Sequence, residues 1–180
     1  MVIRITILFT VLFLFISCKV KNLYGKDIIL EKVKLKDINK IRFDGYYYHK
    51  STYNSKPNIY SLVFSKDGSL IQTDGFEFTS FNNYNTLLLS KEFINIFKDN
   101  KSRWLRKYNI KNDTIITQVK EGGYTYEEHV KTNVYKIYSQ EKLKNIKYYG
   151  LSEYDENQVY FFRKFDSIHK IKEKINILIK

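Results

Sequence analysis

Cys18 is the only thiol in the chain. With no second cysteine it has no disulfide partner, so whatever chemistry it performs is its own. Other reactive types are present but scattered. His49, His129 and His169 lie far apart, without the convergent spacing that a zinc site needs. Glu127 and His129 would share one face of a strand and could form an acid–base pair, but a solvated row of charge is the ordinary outcome there. No G-x-S-x-G nucleophile elbow occurs. Gly122-Gly123 reads as a turn, since no Gly-Lys-Ser follows to make a phosphate loop. Asp155-Glu156 falls in loop-like sequence. The expectation is a protein that is not an enzyme and that uses no metal or cofactor.

The position of Cys18 carries more information than its count. Arg4 precedes a run from Ile5 to Ile16 that holds no charge, and the run closes on Ser17-Cys18 before the chain turns basic at Lys19 and Lys21. A positive start, an apolar centre and a small residue at the end form an export signal. The run is short of the roughly 20 apolar residues that span a bilayer. Leu14-Phe15-Ile16-Ser17-Cys18 resembles the lipobox of bacterial lipoproteins. The resemblance implies cleavage after residue 17, lipidation of Cys18 and firm anchoring through several acyl chains. It also implies an outer-membrane location, with the absence of acids beside Lys19 and Lys21 leaning toward the periplasmic side.

Removing residues 1–17 deletes Arg4 and no acid, so a net charge of +12 becomes +11. Such a balance suits nucleic acid, membrane surfaces or acidic partners. Lys, Asn, Ile and Tyr dominate the composition, however, and an exported lipoprotein rarely meets nucleic acid, so a nucleic-acid partner is not expected. Sixteen Tyr and thirteen Phe favour pleated, half-buried surfaces, and one Pro with seven Gly suits long strands.

Those residues must be positioned by a single domain over 41–180, joined to the lipid by a basic tether and lead-in over 18–40. Arg42–His49 reads as a strand, Tyr53–Asn58 as a turn, and Ile59–Ser65 as an alternating strand. Asp67-Gly68 signals a tight hairpin into Ser69–Thr73. Residues 74–89 show no clear pattern and are where a sheet-crossing connection would hide. Ser90–Asn100 predicts a short helix capped by Ser90, with Phe93, Ile96 and Phe97 on one face. Strands then resume at Arg103–Ile110, Thr114–Val119, Tyr124–Lys131, Asn133–Tyr138, Leu143–Tyr149 and Val159–Phe165. Residues 166–180 predict an amphipathic helix capped by Asp166 or Ser167, covering one end of the sheet. The fold class expected is all-β and mainly antiparallel, an up-and-down barrel of about eight to nine strands.

Three stretches strengthen the barrel reading. Asp44-Gly45-Tyr46-Tyr47 resembles the Gly-x-Trp start of lipocalins, with Tyr47 in the Trp position. Val63-Phe64-Ser65-Lys66-Asp67-Gly68-Ser69-Leu70 resembles the second hairpin of small lipocalin-like lipoproteins of Bacteroidota-type bacteria. Trp104-Leu105-Arg106-Lys107-Tyr108-Asn109-Ile110 with Asn112-Asp113-Thr114-Ile115 resembles their Trp-led strand pair. The resemblance implies a basic residue from the last strands, Arg163, packed over the first-strand aromatic. Tyr47, Tyr60, Phe64, Trp104, Tyr108, Tyr126 and Arg163 are the residues expected to line a pocket or fill the core. The functional expectation is a lipid-anchored envelope binder, its ligand a small apolar molecule, a lipid or a glycan piece. The alternative is a protein partner, such as a toxin met by an immunity-type lipoprotein through its basic outer face.

Overall fold

The computed structural model describes residues 35–122, 128–149 and 157–179. The expected export signal, Cys18, Tyr126 and the part of the expected tether before Leu35 lie outside the described residues. Nine strands follow in order: β1 (Gly45–Tyr53), β2 (Lys56–Phe64), β3 (Ser69–Gln72), β4 (Phe76–Glu77), β5 (Leu105–Lys111), β6 (Thr114–Gly122), β7 (Glu128–Ser139), β8 (Lys142–Tyr149) and β9 (Val159–Lys164). The helices are α1 (Leu35–Ile38), α2 (Phe81–Leu89), α3 (Lys91–Trp104) and α4 (Ile168–Ile179).

Every strand pairing is antiparallel. Each long strand pairs with its successor, β3 passes over to β5, and β9 returns to β1, which itself pairs with β2. Eight strands therefore close on themselves, and the up-and-down barrel expected from the serial hairpins is what forms. Closure removes the free edges that would otherwise invite pairing with other chains. The ninth strand, β4, adds to the start of β2 beyond the end of β3.

Turn chemistry explains the hairpins. Asn54 and Ser55 both take positive φ, 49° and 62°, between the paired residues Tyr53 and Lys56. Two positive φ values match the right-handed twist of the flanking strands. Pro57, expected in a turn, instead lies inside β2, where its carbonyl accepts from the Phe78 N–H at 2.8 Å. The Asp67-Gly68 hairpin forms as expected, but only Gly68 has positive φ, at 85°. Asp67 acts through its carboxylate, which accepts from the Ser69 N–H at 2.9 Å.

Residues 74–89 hold no crossing of the sheet but β4 and α2. Ser80 caps α2, accepting from the Asn83 N–H at 3.2 Å, and Ser90 caps α3 as predicted, accepting from Phe93 N–H at 3.0 Å. Helix α3 runs to Trp104, past the expected end at Asn100. The expected strand Arg103–Ile110 thus starts at Leu105. The reason is spacing: Phe93, Phe97 and Trp104 recur on one helical face, and all three are buried. The separately expected strands Tyr124–Lys131 and Asn133–Tyr138 become the single strand β7 where described.

The wall of the barrel divides two apolar cores. The inner one draws Tyr47, Leu62, Phe64, Leu70, Tyr108, Ile110, Ile115, Tyr135, Leu143 and Tyr160 from all eight barrel strands. The outer one packs Tyr46, Ile59, Val63 and Ile71 against Tyr84 and Leu88 of α2, Phe93, Phe97 and Trp104 of α3, and Ile168, Ile171 and Ile175 of α4. This is why Tyr46 and Tyr47, neighbours on β1 that face opposite sides, are both buried. The C-terminal helix forms as expected but lies on the outer face of the sheet, in the layer made by α2 and α3.

Candidate ligand site in the barrel lumen

The two ends of the lumen differ in kind. The end near α1 is filled. Ile38 of the lead-in, with Ile41 and Phe43 between it and β1, packs onto the inner core. Gln140 donates to the Asn39 carbonyl, and the Arg42 guanidinium pairs with Glu141 at 3.2 Å. The Tyr47 ring meets Phe64 edge-on at 5.7 Å, and Phe64 meets Tyr108 at 5.0 Å. Their hydroxyls are committed to the backbone. The Tyr47 Oη donates to the Gln140 carbonyl at 2.7 Å and accepts from the Arg42 N–H at 3.0 Å. The Tyr108 Oη donates to the Ser65 carbonyl at 2.8 Å. Three of the expected pocket residues, Tyr47, Phe64 and Tyr108, therefore act as packing here.

The opposite half is polar. Strand alternation, which buries Arg106, Tyr108 and Ile110 on β5 while exposing Lys107 and Lys111, turns Arg106 inward. The same alternation turns in Gln72 of β3, Thr117 of β6, Asn133 of β7 and Asn145 of β8, and all of these are buried. A hydrogen bond crosses the lumen: the Asn133 Nδ2 donates to the Gln72 Oε1 at 3.4 Å, although β3 and β7 are separated by two strands. The Tyr135 Oη donates to the same oxygen at 3.3 Å. Arg106 and Thr117 project from the two strands between them.

This layer does not satisfy itself. Among the described residues, the Arg106 Nε and Nη1, the Thr117 Oγ1, the Asn133 Oδ1 and the Asn145 Nδ2 are buried with no hydrogen-bond partner. A buried hydroxyl or amide left so costs about 1–3 kcal/mol, and a charged group more. The outer layer is mixed: the Arg163 Nε is likewise buried without a partner, but the hydroxyls there pair with one another. There Tyr84 donates to the Ser61 Oγ at 2.7 Å, and Ser61 meets the Thr73 Oγ1 at 3.1 Å, closing a buried hydroxyl cluster on itself. Burial pushes the Tyr84 phenol up to about 12, against the lowering influence of its two hydroxyl partners.

Toward the β1–β2 hairpin sit the half-buried His49 and Tyr60, beside the fully buried Tyr160. The His49 ring lies 5.5 Å from Tyr160 and 6.3 Å from Tyr60, and its Nδ1 is 3.0 Å from the Val159 carbonyl. An open groove of about 440 Å³ runs beside it, over Tyr48, Lys50, Gln158 and Phe161. Tyr60 keeps the position expected of it, facing the lumen near its rim.

Two other expected residues are placed differently. Trp104 is core, but outside the barrel wall, stacked on Phe93 at 5.9 Å with its Nε1 donating to Asp74 at 3.0 Å. It ends a helix rather than lying on a strand, so it cannot face the lumen. Arg163 does not cover Tyr47. It points outward and sets its guanidinium 3.9 Å over the Phe81 ring, opposite Tyr46 in the sheet register. The cation near Tyr47 comes from the segment just before β1 instead: Arg42 stacks 4.2 Å over Phe162, whose ring meets Tyr47 at 5.2 Å. Arg106, Asn133 and Asn145 escaped the sequence reading, though an arginine at an inward position of an alternating strand was the available signal. Among the described residues, no group of three His, Cys, Asp or Glu side chains gathers to hold a metal ion.

No protein-family model matches this chain, no curated protein matches it, and no solved structure matches it. The geometry of the lumen therefore stands on its own.

Proposed function

We propose that this protein is a lipid-anchored component of the bacterial envelope that binds a small ligand in the polar half of its barrel, without catalysis. The observation that supports it is the buried layer of Arg106, Thr117, Asn133 and Asn145, which presents donors and acceptors to the lumen that the protein leaves unpaired. Such a cost is tolerated where a ligand supplies the missing partners. Amides, a hydroxyl and a guanidinium do not titrate near neutrality, which fits binding better than proton transfer. The packed aromatic end gives the site a floor, and the lipid at Cys18 would hold it at the outer membrane, on the periplasmic side. The mature lipoprotein, extracted from its own membrane and studied by native mass spectrometry, is expected to carry a non-covalent small molecule. A bare protein mass, together with no thermal stabilisation by any small solute, would remove this reading.

A second reading has its own observation. On the outer face, Lys136 and Lys142 lie 5.4 and 5.7 Å from the exposed Tyr138 ring, and Lys142 lies 6.0 Å from the exposed Phe161. Aromatics flanked by cations suit an acidic protein partner. Association with such a partner is expected to weaken as salt rises from about 0.05 to 0.5 M, because surface charge is screened. A complex indifferent to salt and to Lys142→Glu would exclude this face.

A further inference from the structure

We infer that Arg106 is an oxyanion receptor, so that the ligand of the lumen carries a carboxylate or a phosphate on a hydroxylated body. This rests on the proposal that a ligand occupies the lumen. Arg106 is 9% exposed, and its guanidinium offers five N–H donors and no acceptor. A buried cation normally has a carboxylate beside it. The described carboxylates with described side chains do not serve. Asp44, Asp67, Asp74, Glu77, Asp113 and Glu141 are exposed, as are the rest on the helices, and the one buried acid, Asp37, lies on α1 at the plugged end, paired with Lys40 at 3.4 Å. Among the described residues the guanidinium thus has no carboxylate beside it, and its Nε and Nη1 are buried without a hydrogen-bond partner.

The surroundings narrow the class. An apolar ligand would leave the Thr117 Oγ1, the Asn133 Oδ1 and the Asn145 Nδ2 unpaired, so a fatty chain fits badly beside them. A hydroxyl or amide group can pair with all three. The half-buried ring of Tyr60, beside His49, offers an aromatic surface to a sugar-like body. The charge chemistry is common to acidic sugars and to phosphorylated small molecules, and the probes below separate these sources.

The test is a titration of the mature domain followed by NMR, reading the Arg106 Nε–H and the backbone amides of Thr117, Asn133 and Asn145. The probes are glucuronate, glucose, inorganic phosphate and laurate, at constant ionic strength set with chloride. Wild type is expected to bind glucuronate or phosphate at least about tenfold tighter than glucose, a gap of about 1.4 kcal/mol. The Arg106 Nε–H should shift on titration. Tighter glucuronate points to an acidic sugar, and tighter phosphate to a phosphorylated one. In Arg106→Met the gap should close to within about twofold, while Arg106→Lys should retain part of it. Arg106→Met should also unfold at higher urea than wild type, which shows that it folds and that the charge was not kept for stability. If glucose moves the lumen amides and the acids bind no tighter, the receptor role fails while the lumen site stands. Laurate binding best would overturn the role as well. Lumen amides unmoved by all four probes would bring down both readings.

Discussion

Gly45→Ala is expected to cost about 3 kcal/mol or more, and to open the barrel at one seam. Gly45 is buried at the start of β1, paired with Lys164 of β9 where the sheet closes. A Cβ built on it would fall on the carbonyl oxygen of Arg163, 2.9 Å from the carbonyl carbon and 2.7 Å from the Phe162 ring. The obstacle is backbone within the ladder, so no side-chain rotation relieves it. Either β1 and β9 separate or the pairing slips, and a slip by one residue would send Tyr46 inward and Tyr47 outward. Gly75 is the internal comparison. A Cβ there would meet only the outer end of the Tyr60 ring, at 2.8 Å. That ring sits near the open rim and can move, so Gly75→Ala should cost under about 1 kcal/mol. Urea midpoints measure both, and amide exchange along Tyr46–Tyr48 and Phe161–Arg163 locates the damage. Equal midpoints for the two variants would contradict this account of the seam.

The legible parts of this fold are those fixed by local chemistry. Alternating β5 residues, the Asp67-Gly68 hairpin and the Ser90 cap each carry their instruction within a few residues. From these the strand count and the antiparallel barrel follow. Residues 74–89 were opaque because their order comes from afar. Phe76 and Phe81 are held by Trp104 and Tyr48, at ring distances of 5.6 and 4.9 Å, and Asp74 by Arg103 and Trp104. The second core was nonetheless written into Tyr46-Tyr47-Tyr48. A strand with large aromatics on both faces requires cover on both, which a barrel alone does not provide. The lumen site was hard to read for a different reason. Arg106 resembles any other basic residue of a lysine-rich chain until alternation and closure put it inside. Glutamine, asparagine and threonine carry no motif, and only the bond from Asn133 to Gln72 across the lumen reveals them as one layer.

The same tyrosines that fill the two cores should make the protein fail in alkali. Burial raises the phenols of Tyr46, Tyr47, Tyr84 and Tyr108, with Tyr47 and Tyr84 reaching about 12. An unfolded tyrosine titrates near 10. Below about pH 10 both states hold the proton, and the contribution of each phenol to stability is fully present. Above it the unfolded chain releases protons that the folded core retains, so unfolding is favoured increasingly until the folded phenols ionise, Tyr47 and Tyr84 near pH 12 and the other two higher still. For Tyr84 alone, two units at about 1.4 kcal/mol each give a loss on the order of 3 kcal/mol. Lys172 acts in the opposite sense. Burial lowers its pKa, so its deprotonation relieves a penalty as pH rises, and this partly offsets the tyrosines. Four phenols against one amine leave the balance with the tyrosines. The urea midpoint is therefore expected to hold steady to about pH 9.5 and to fall steeply by about pH 11, with the four buried rings adding their phenolate absorbance only as the barrel unfolds. Tyr84→Phe removes one of the four, and its midpoint should decline less steeply over that range, although it begins lower because Ser61 and Thr73 lose a partner. A midpoint unchanged at pH 11, or a phenolate signal of the folded protein that drops in Tyr84→Phe, would show that these rings reach solvent and that the cores are not closed.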